Sequence, residues 1–316
     1  MVSLPSFDPN LFNRESVQLQ ELLSNPLSPL LNRATAGLYP PGSIFKIVSA
    51  AAGLQTGKID KNTKFEDTGV MFLGPYSFAN WYFTCCGKKE GFLDLVKAIK
   101  RSNDIFFYKL GQLVGPESLA KFAHLFGLGE KTGIDLPFEE KGLIPTPSWK
   151  KERGEVWVPG NTLHLAIGQG DILVTPLQIS NMICAVANGG TLYKPYLGMK
   201  IEGEGENLQF PPKIVRKDFL DRENLELIRQ GMREACLEGG TGWPFFDFPI
   251  SVGCKTGTAE FGDPKGRTHA WFTVFAPFEN PEIVVTVLVE GGGEGSSVAA
   301  PIAKEILEYW FKNRSG

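Results

Sequence analysis

A chain of 316 residues with 42% hydrophobic side chains can bury a large core; it is long for one domain and short for two. Its 32 basic and 35 acidic residues leave a net charge of −3 without a basic run, which argues against recognition of nucleic acid or of an anionic membrane surface. No stretch reaches the roughly 18 apolar residues of a membrane span, and the N-terminus lacks a charged-then-apolar signal pattern, so the chain is expected to be soluble by itself.

The first residues, Met1-Val2-Ser3-Leu4-Pro5-Ser6-Phe7-Asp8-Pro9, read like the inside of a domain, so a part upstream of them is expected to be missing. Residues 12–36 are polar and proline-punctuated, with a short helix over Leu19–Leu23. Tyr39-Pro40-Pro41-Gly42 then feeds the apolar run Ile44, Phe45, Ile47, Val48, Ala50, Ala51 and Ala52. Two prolines and a glycine before such a run predict a helix over 43–56 with Ser43 in its first turn. A helix that is apolar nearly all round is a buried one, so Ser43 and Lys46 need a reason to be there. Three positions apart, they share a face, and hydroxyl and amine can meet.

Further helices are expected at 92–101, 104–114 and 116–126, with Ser102-Asn103-Asp104 on the turn between the first two. Three motif copies fall in blander places. Ser118 and Lys121 lie on a solvated helix face, Lys131-Thr132-Gly133 follows a helix stop, and Ser148 and Lys151 sit in the polar loop Pro147–Arg153. Thr175 and Pro176 open a helix at 176–188 as N-cap and first-turn proline, and Asn188-Gly189-Gly190 stops it. After a helix at 222–237, three strands follow: Ile250–Cys254 ending in Lys255, then His269–Ala276, then Glu282–Val289. Their β-branched and aromatic residues predict an antiparallel meander, which puts Lys255-Thr256-Gly257-Thr258 on a strand. The last helix, 297–312, carries Val298, Ile302, Ile306, Leu307 and Trp310 on one stripe suited to the sheet. This order predicts an α+β fold: an antiparallel sheet flanked by helices, with an inserted helical lobe and an active site between the two.

Five cysteines (Cys85, Cys86, Cys184, Cys236 and Cys254) are odd in number and lack Cys-x-x-Cys spacing. Neither a structural zinc site nor a disulfide framework is expected; Cys184 reads as packing, and the adjacent Cys85 and Cys86 have no assigned role. His124, His164 and His269 compose no Ser-His-Asp arrangement by spacing and are read as packed or surface residues.

The remaining constellation is equipment for acyl transfer through a serine ester. Ser43 is the nucleophile, and Lys46 serves as its base once burial, the helix N-terminus and the second cation, Lys255, lower its pKa. Ser102 relays the proton to the leaving amine, and Asn103 offers a side-chain amide. Asp104 is read as a cap for the helix beginning at Ile105 or as local support, rather than as a direct chemical participant. Lys255 attracts a substrate carboxylate that Thr256 or Thr258 hydrogen-bonds, and Gly257 lets a substrate backbone lie along the strand edge. The backbone N–H groups of Ser43 and Thr258 are the oxyanion donors.

With these motifs in this order, the chain resembles the penicillin-binding proteins, in particular the class B elongation-type transpeptidases known as penicillin-binding protein 2. The likeness extends through Pro5-Ser6-Phe7-Asp8-Pro9-Asn10, Asn32-Arg33-Ala34, Tyr39-Pro40-Pro41-Gly42-Ser43 and Thr132-Gly133-Ile134-Asp135-Leu136-Pro137. It continues in Gly168-Gln169-Gly170, Thr175-Pro176-Leu177-Gln178, Ala187-Asn188-Gly189-Gly190, Lys255-Thr256-Gly257-Thr258-Ala259 and Phe275-Ala276-Pro277. The resemblance implies the penicillin-binding/serine β-lactamase-like transpeptidase fold over residues 1–316 and cross-linking of peptidoglycan. Ser43 would attack the D-Ala-D-Ala end of a stem peptide, release D-Ala and pass the acyl group to an amine of a neighbouring stem; β-lactam antibiotics mimic the donor.

The same resemblance implies a membrane anchor and a pedestal upstream, a catalytic domain on the periplasmic side of the cytoplasmic membrane, and elongation-complex partners including a glycosyltransferase. The second motif ends in Asp104 where many relatives have Asn, as is common in the elongation type. Some elongation-type relatives carry a zinc-ligating Cys in the middle of that motif; Asn103 stands there, so no metal and no cofactor are expected. Two rival readings use the same motifs: a serine D,D-carboxypeptidase or β-lactamase that passes the acyl group to water, and a β-lactam-binding sensor domain.

Overall fold

The computed structural model describes residues 1–13, 17–203 and 208–313. The N-terminal segment holds a 3-10 turn at Pro9–Asn13 and helix α1 (Val17–Ser24). A second 3-10 turn, Gly42–Phe45, runs into α2 (Lys46–Gln55). Short strands β1 (Phe65–Asp67), β2 (Val70–Leu73), β3 (Tyr76–Ala79) and β4 (Gly91–Leu93) surround α3 (Trp81–Cys86). Then come α4 (Leu95–Lys100), α5 (Asp104–Val114), α6 (Pro116–Leu125), α7 (Pro147–Glu152), α8 (Pro159–Ala166) and α9 (Pro176–Ala187). Strands β5 (Leu192–Lys194), β6 (Lys200–Ile201), β7 (Leu208–Gln209) and β8 (Lys213–Arg216) lead to α10 (Arg222–Ala235). The chain closes with β9 (Gly253–Glu260), β10 (Thr268–Ala276), β11 (Ile283–Val289) and α11 (Ala300–Lys312). None of the described helices is long and apolar enough to cross a membrane.

The expected meander is present as one antiparallel sheet in the order β11-β10-β9, with Trp271 opposite Gly257 and Leu288, and Thr273 opposite Lys255. Alternate residues of β10 enter two different cores. Trp271 and Phe275 join the helical core with Phe45, Ile47 and Phe107. Ala270, Phe272, Val274 and Ala276 join a second core with Leu307 of α11. Burial on both faces is why this strand reads as a nearly continuous apolar run rather than an alternating one. On the helical side α2 packs on α5 and α6, and α5 packs on α8. Ile44, Phe45, Ile47 and Val48 are all fully buried, each contributing about 1.5–3 kcal/mol of apolar burial.

Several local expectations need correction. The segment read as a loop at Pro147–Arg153 contains α7, because Thr146 Oγ1 caps it by accepting from Trp149 N at 3.1 Å and Pro147 sits in its first turn. Helices α3 and α8 were not foreseen; α8 starts at Pro159, with Asn161 Oδ1 accepting from Val158 N at 2.9 Å. The stripe expected on the last helix is rotated. Ile302 and Ile306 are 42% and 43% exposed, while Ala300, Ala303 and Leu307 are buried. Close approach of α11 to β10 and β11 selects small side chains over large ones.

The cysteine expectation fails too. Cys236, just beyond α10, and Cys254 of β9 form a disulfide across the packed α10–β9 pair, and neighbours Cys85 and Cys86 form a second. Bonding between Cys236 and Cys254 follows tertiary packing, to which sequence spacing is blind. Cys184 is a free, part-buried thiol whose pKa burial pushes up to about 11.

Candidate active site

Ser43 sits in the Gly42–Phe45 turn, which lies directly on β9. Gly42 adopts φ +54°, and a Cβ there would come 2.8 Å from Thr258 O, so glycine is required on both counts. Its N–H donates to Gly168 O at 2.9 Å. A Cβ on Gly257 would lie 3.2 Å from Pro41 O and 3.0 Å from Trp271 Cβ, so glycine lets the strand approach the turn. Trp271 Nε1 fastens the entry by donating to Pro40 O at 3.0 Å. Backbone near Ser43 and backbone near Thr258 are thereby brought together.

Lys46 begins α2 and is fully buried. Its Nζ donates to Asp104 Oδ1 at 2.6 Å, to Ser102 O at 2.7 Å and to Ser102 Oγ at 3.4 Å. Removing an ammonium from water costs several kcal/mol, and these contacts offset that cost. Burial pushes the Lys46 pKa down, and the Asp104 carboxylate opposes the shift. Lys255 is equally buried and donates to Ser102 Oγ at 2.8 Å and to Thr256 O at 2.9 Å. Burial first, and the Lys46 ammonium second, hold its amine well below the ordinary lysine value. Ser102 therefore stands between two amines, on a turn where its own φ is +51°.

Four expectations change at this point. Among the described residues, no hydrogen bond joins Ser43 Oγ to Lys46; the amine is engaged by Asp104 and Ser102 instead. Asp104 is not the cap of α5 but its first residue, paired with Lys46, and its Oδ2 accepts from Trp81 N at 2.9 Å. The cap is Asn103, whose Oδ1 accepts from Phe106 N at 2.9 Å while its Nδ2 donates to Asp67 Oδ2 at 3.0 Å. Both ends of that amide are thus committed to the scaffold. Lys255, expected to reach for a substrate carboxylate, instead runs inward on the strand face it shares with Gly257 and Ala259 and ends on Ser102.

Above this floor lies a cleft of about 1280 Å³, lined by Ser43, Ser102, Asp104, Thr256 and Thr258, with Tyr108, His164 and Glu260 further out. Thr256 Oγ1 donates to Thr241 Oγ1 at 2.8 Å, and Thr258 is exposed to the cleft. Tyr108, Thr241 and Glu260 carry no signal in the sequence that singles them out. His164, expected as a packed or surface residue, is exposed to the cleft and meets Phe78 edge-on, and partial desolvation there lowers its pKa. A smaller hollow of about 760 Å³ lies between α4 and α10. Four of its charged side chains are engaged in the Lys100–Glu234 and Arg101–Glu90 ion pairs. Of the rejected motif copies, Lys121 is exposed on α6, Lys131 lies in a loop, and none lines the cleft. Among the described residues, no three His, Cys, Asp or Glu side chains gather into a potential metal site.

A hydroxyl at the cleft floor, two amines of depressed pKa and a bridging serine can together carry a proton to and from an acyl ester. Comparison with known proteins agrees with that chemistry. The family model described as "Penicillin binding protein transpeptidase domain" matches residues 1–308. The peptidoglycan D,D-transpeptidase MrdA of Haemophilus influenzae is 35% identical over 99% of this chain and 51% of its own length. The Helicobacter pylori PBP2 in its complex with MreC superposes with a TM-score of 0.86 at 34% identity, covering 98% of this chain and 57% of that one. Penicillin-binding protein A of Mycobacterium tuberculosis, in an imipenem acyl-enzyme complex, gives a TM-score of 0.80 at 28% identity over 97% of this chain and 69% of that one. The chain spans about half the length of the curated relatives it matches.

Proposed function

Because the chain belongs to the penicillin-binding protein transpeptidase family, we propose that it is the D,D-transpeptidase domain of a peptidoglycan synthase, acting through an acyl-enzyme on Ser43. The observation that carries this reading is the convergence of Lys46 and Lys255 on Ser102 Oγ, at 3.4 and 2.8 Å, beneath the cleft that Ser43 lines.

The steps follow from these groups. Ser43 Oγ attacks the carbonyl of the penultimate D-Ala of a donor stem peptide as its proton passes to the Lys46 amine in its neutral form. The developing oxyanion is met by the backbone N–H groups of Ser43 and Thr258. The C–N bond to the terminal D-Ala breaks, and the proton reaches the leaving amine through Ser102, with Lys255 holding the relay hydroxyl in place. Thr256 and Thr258 hydrogen-bond the terminal carboxylate, with Lys255 adding electrostatic attraction from beneath. An amine of a second stem peptide then attacks the ester, gives its proton back along the same route and frees Ser43. A β-lactam takes the place of the donor and acylates the same serine; the mycobacterial relative forms an acyl-enzyme with imipenem.

Residues 1–316 are read as this one domain, and the relatives' additional length as the place of an anchor and pedestal that would hold it on the extracytoplasmic face of the membrane. The MreC complex of the Helicobacter relative supports an elongation-complex partner, with a glycosyltransferase as the further expected member. The test supplies a D-Ala-D-Ala-terminated stem peptide and an amine acceptor. D-Ala release with formation of the cross-linked peptide is expected, and neither with Ser43→Ala. Release to water alone would make the protein a carboxypeptidase, and stable penicillin binding without any release of D-Ala would make it a sensor.

A further inference from the structure

We propose that Asp67 is a positioning residue for the proton-transfer groups: its buried carboxylate fixes the Ser102–Asp104 turn through Asn103 and Asn80. The inference rests on the transpeptidase reading above.

Asp67 ends β1 and is 2% exposed, and among the described residues no lysine or arginine pairs with it. Four N–H donors meet it instead. Oδ1 accepts from Gly69 N at 2.8 Å, and Oδ2 accepts from Asn80 Nδ2, Asn103 Nδ2 and Glu90 N, each at 3.0 Å. Hydrogen bonds to a carboxylate are about twice as strong as neutral ones, so this is a rigid hub.

The two amides it holds grip the catalytic turn from both sides. Asn103 is the middle residue of that turn and caps α5 with its other end. Asn80 Oδ1 accepts from Asp104 N at 3.1 Å, and the next residue, Trp81, donates its backbone N–H to Asp104 Oδ2 at 2.9 Å. Trp81 Nε1 also donates to Arg101 O at 2.9 Å, on the near side of Ser102. Through Asn103, Asn80 and Trp81 this web reaches the turn whose Ser102 and Asp104 hold Lys46.

The turn needs such support. A serine at φ +51° carries strain, of order 1–3 kcal/mol, and persists only where its surroundings over-determine it. Residue identity points the same way. An aspartate at 103 would cap α5 but repel Asp67, and a serine would cap it without reaching Asp67. Only an amide both caps and donates.

The experiment measures penicillin acylation of Ser43 against pH in the full chain, with melting temperature as the folding control. Asp67→Asn removes the charge and keeps the shape. We expect its limiting rate to fall on the order of tenfold to a hundredfold, as for displaced catalytic groups. The acid limb, on which Lys46 loses its proton, should also move to lower pH. The groups facing that amine are Asp104 and Ser102 from the turn, Lys255 from β9 and the Phe107 ring from α5. Of these, Asp104 is the one carboxylate, and its charge opposes the effect of burial on the amine, so a loosened Asp104 lets burial weigh more. Asn103→Ser, which keeps a cap and cuts only the Asp67 bond, should act in the same direction to a smaller extent. The exchange Asp67→Asn with Asn103→Asp restores an amide–carboxylate bond and should recover part of the rate.

Folded Asp67→Asn and Asn103→Ser proteins with the wild-type rate and limb would overturn the proposal. So would a lower rate with an unmoved limb, which assigns Asp67 to folding alone. If Asp67→Asn does not fold, Asn103→Ser decides. A wild-type protein that takes no penicillin on Ser43 would instead defeat the transpeptidase reading itself.

Discussion

The two walls of the cleft are built by different forces. The wall of the Gly42–Phe45 turn, α2 and β9 is held by apolar packing, with Ile44, Phe45, Ile47 and Val48 all sealed from solvent. The opposite wall, made of Asp67, Asn80, Trp81 and the 101–104 turn, is held by side-chain hydrogen bonds to backbone and amide groups. Packing sets where the nucleophile stands, and directional bonds set where its proton goes. Packed walls tolerate changes of shape at a graded cost. Hydrogen-bonded walls fail when one donor or acceptor changes, even at constant volume.

The largest effect that sharpens this contrast is expected where the walls meet, at Lys255. Lys255→Met keeps most of the buried volume and removes the donor to Ser102. Acylation should fall by about 10²–10⁴, measured by stopped flow with a chromogenic β-lactam. The same variant tests the burial of the amine. A lysine whose pKa is lowered on folding binds fewer protons in the folded than in the unfolded chain, below the unfolded value near 10.5. Wild-type stability should therefore rise with pH through the alkaline range relative to Lys255→Met, and the melting-temperature difference should shift in favour of wild type from neutrality to pH ~10. A difference that is flat with pH would mean that the amine is not desolvated.

On the packed wall the expected losses are of stability. Ile47→Ala should cost about 2–5 kcal/mol and Ile47→Val about 0.5–1.5 kcal/mol in urea unfolding. Well below its melting temperature, Ile47→Val should acylate at close to the wild-type rate. A hundredfold loss of rate in that variant would erase the distinction between the walls.

The same contrast explains what the sequence reveals. The packed wall is legible because prolines, a glycine and an unbroken apolar run mark the entry of α2, and β-branched residues mark the meander. Those signals select Ser43 over Ser118 and Ser148, and Lys255 over Lys131. The hydrogen-bonded wall has no period. Asp67 and Asn80 lie 37 and 24 residues before Asp104, and nothing near them in sequence indicates that they converge. Asn103 carries no mark that distinguishes a scaffold amide from a substrate-facing one, and Asp104 looks like a cap because caps and ion-pair partners use the same residue type. Lys255 on a strand reads as a cation reaching for a substrate carboxylate until the Ser43 turn is seen to cover that face. The stripe of α11 is misread for a related reason: hydrophobicity ranks Ile302 and Ile306 above Ala300 and Ala303, whereas close helix–sheet contact ranks them the other way.

The central claim is that Ser43 becomes the acylated residue because the two buried lysines and Ser102 serve it. Mass spectrometry of the protein after penicillin treatment, followed by peptide mapping, tests that claim most directly. One adduct per chain on the peptide containing Ser43, lost in Ser43→Ala, is the predicted result. An adduct on any other residue, or labelling that survives Ser43→Ala, would contradict it.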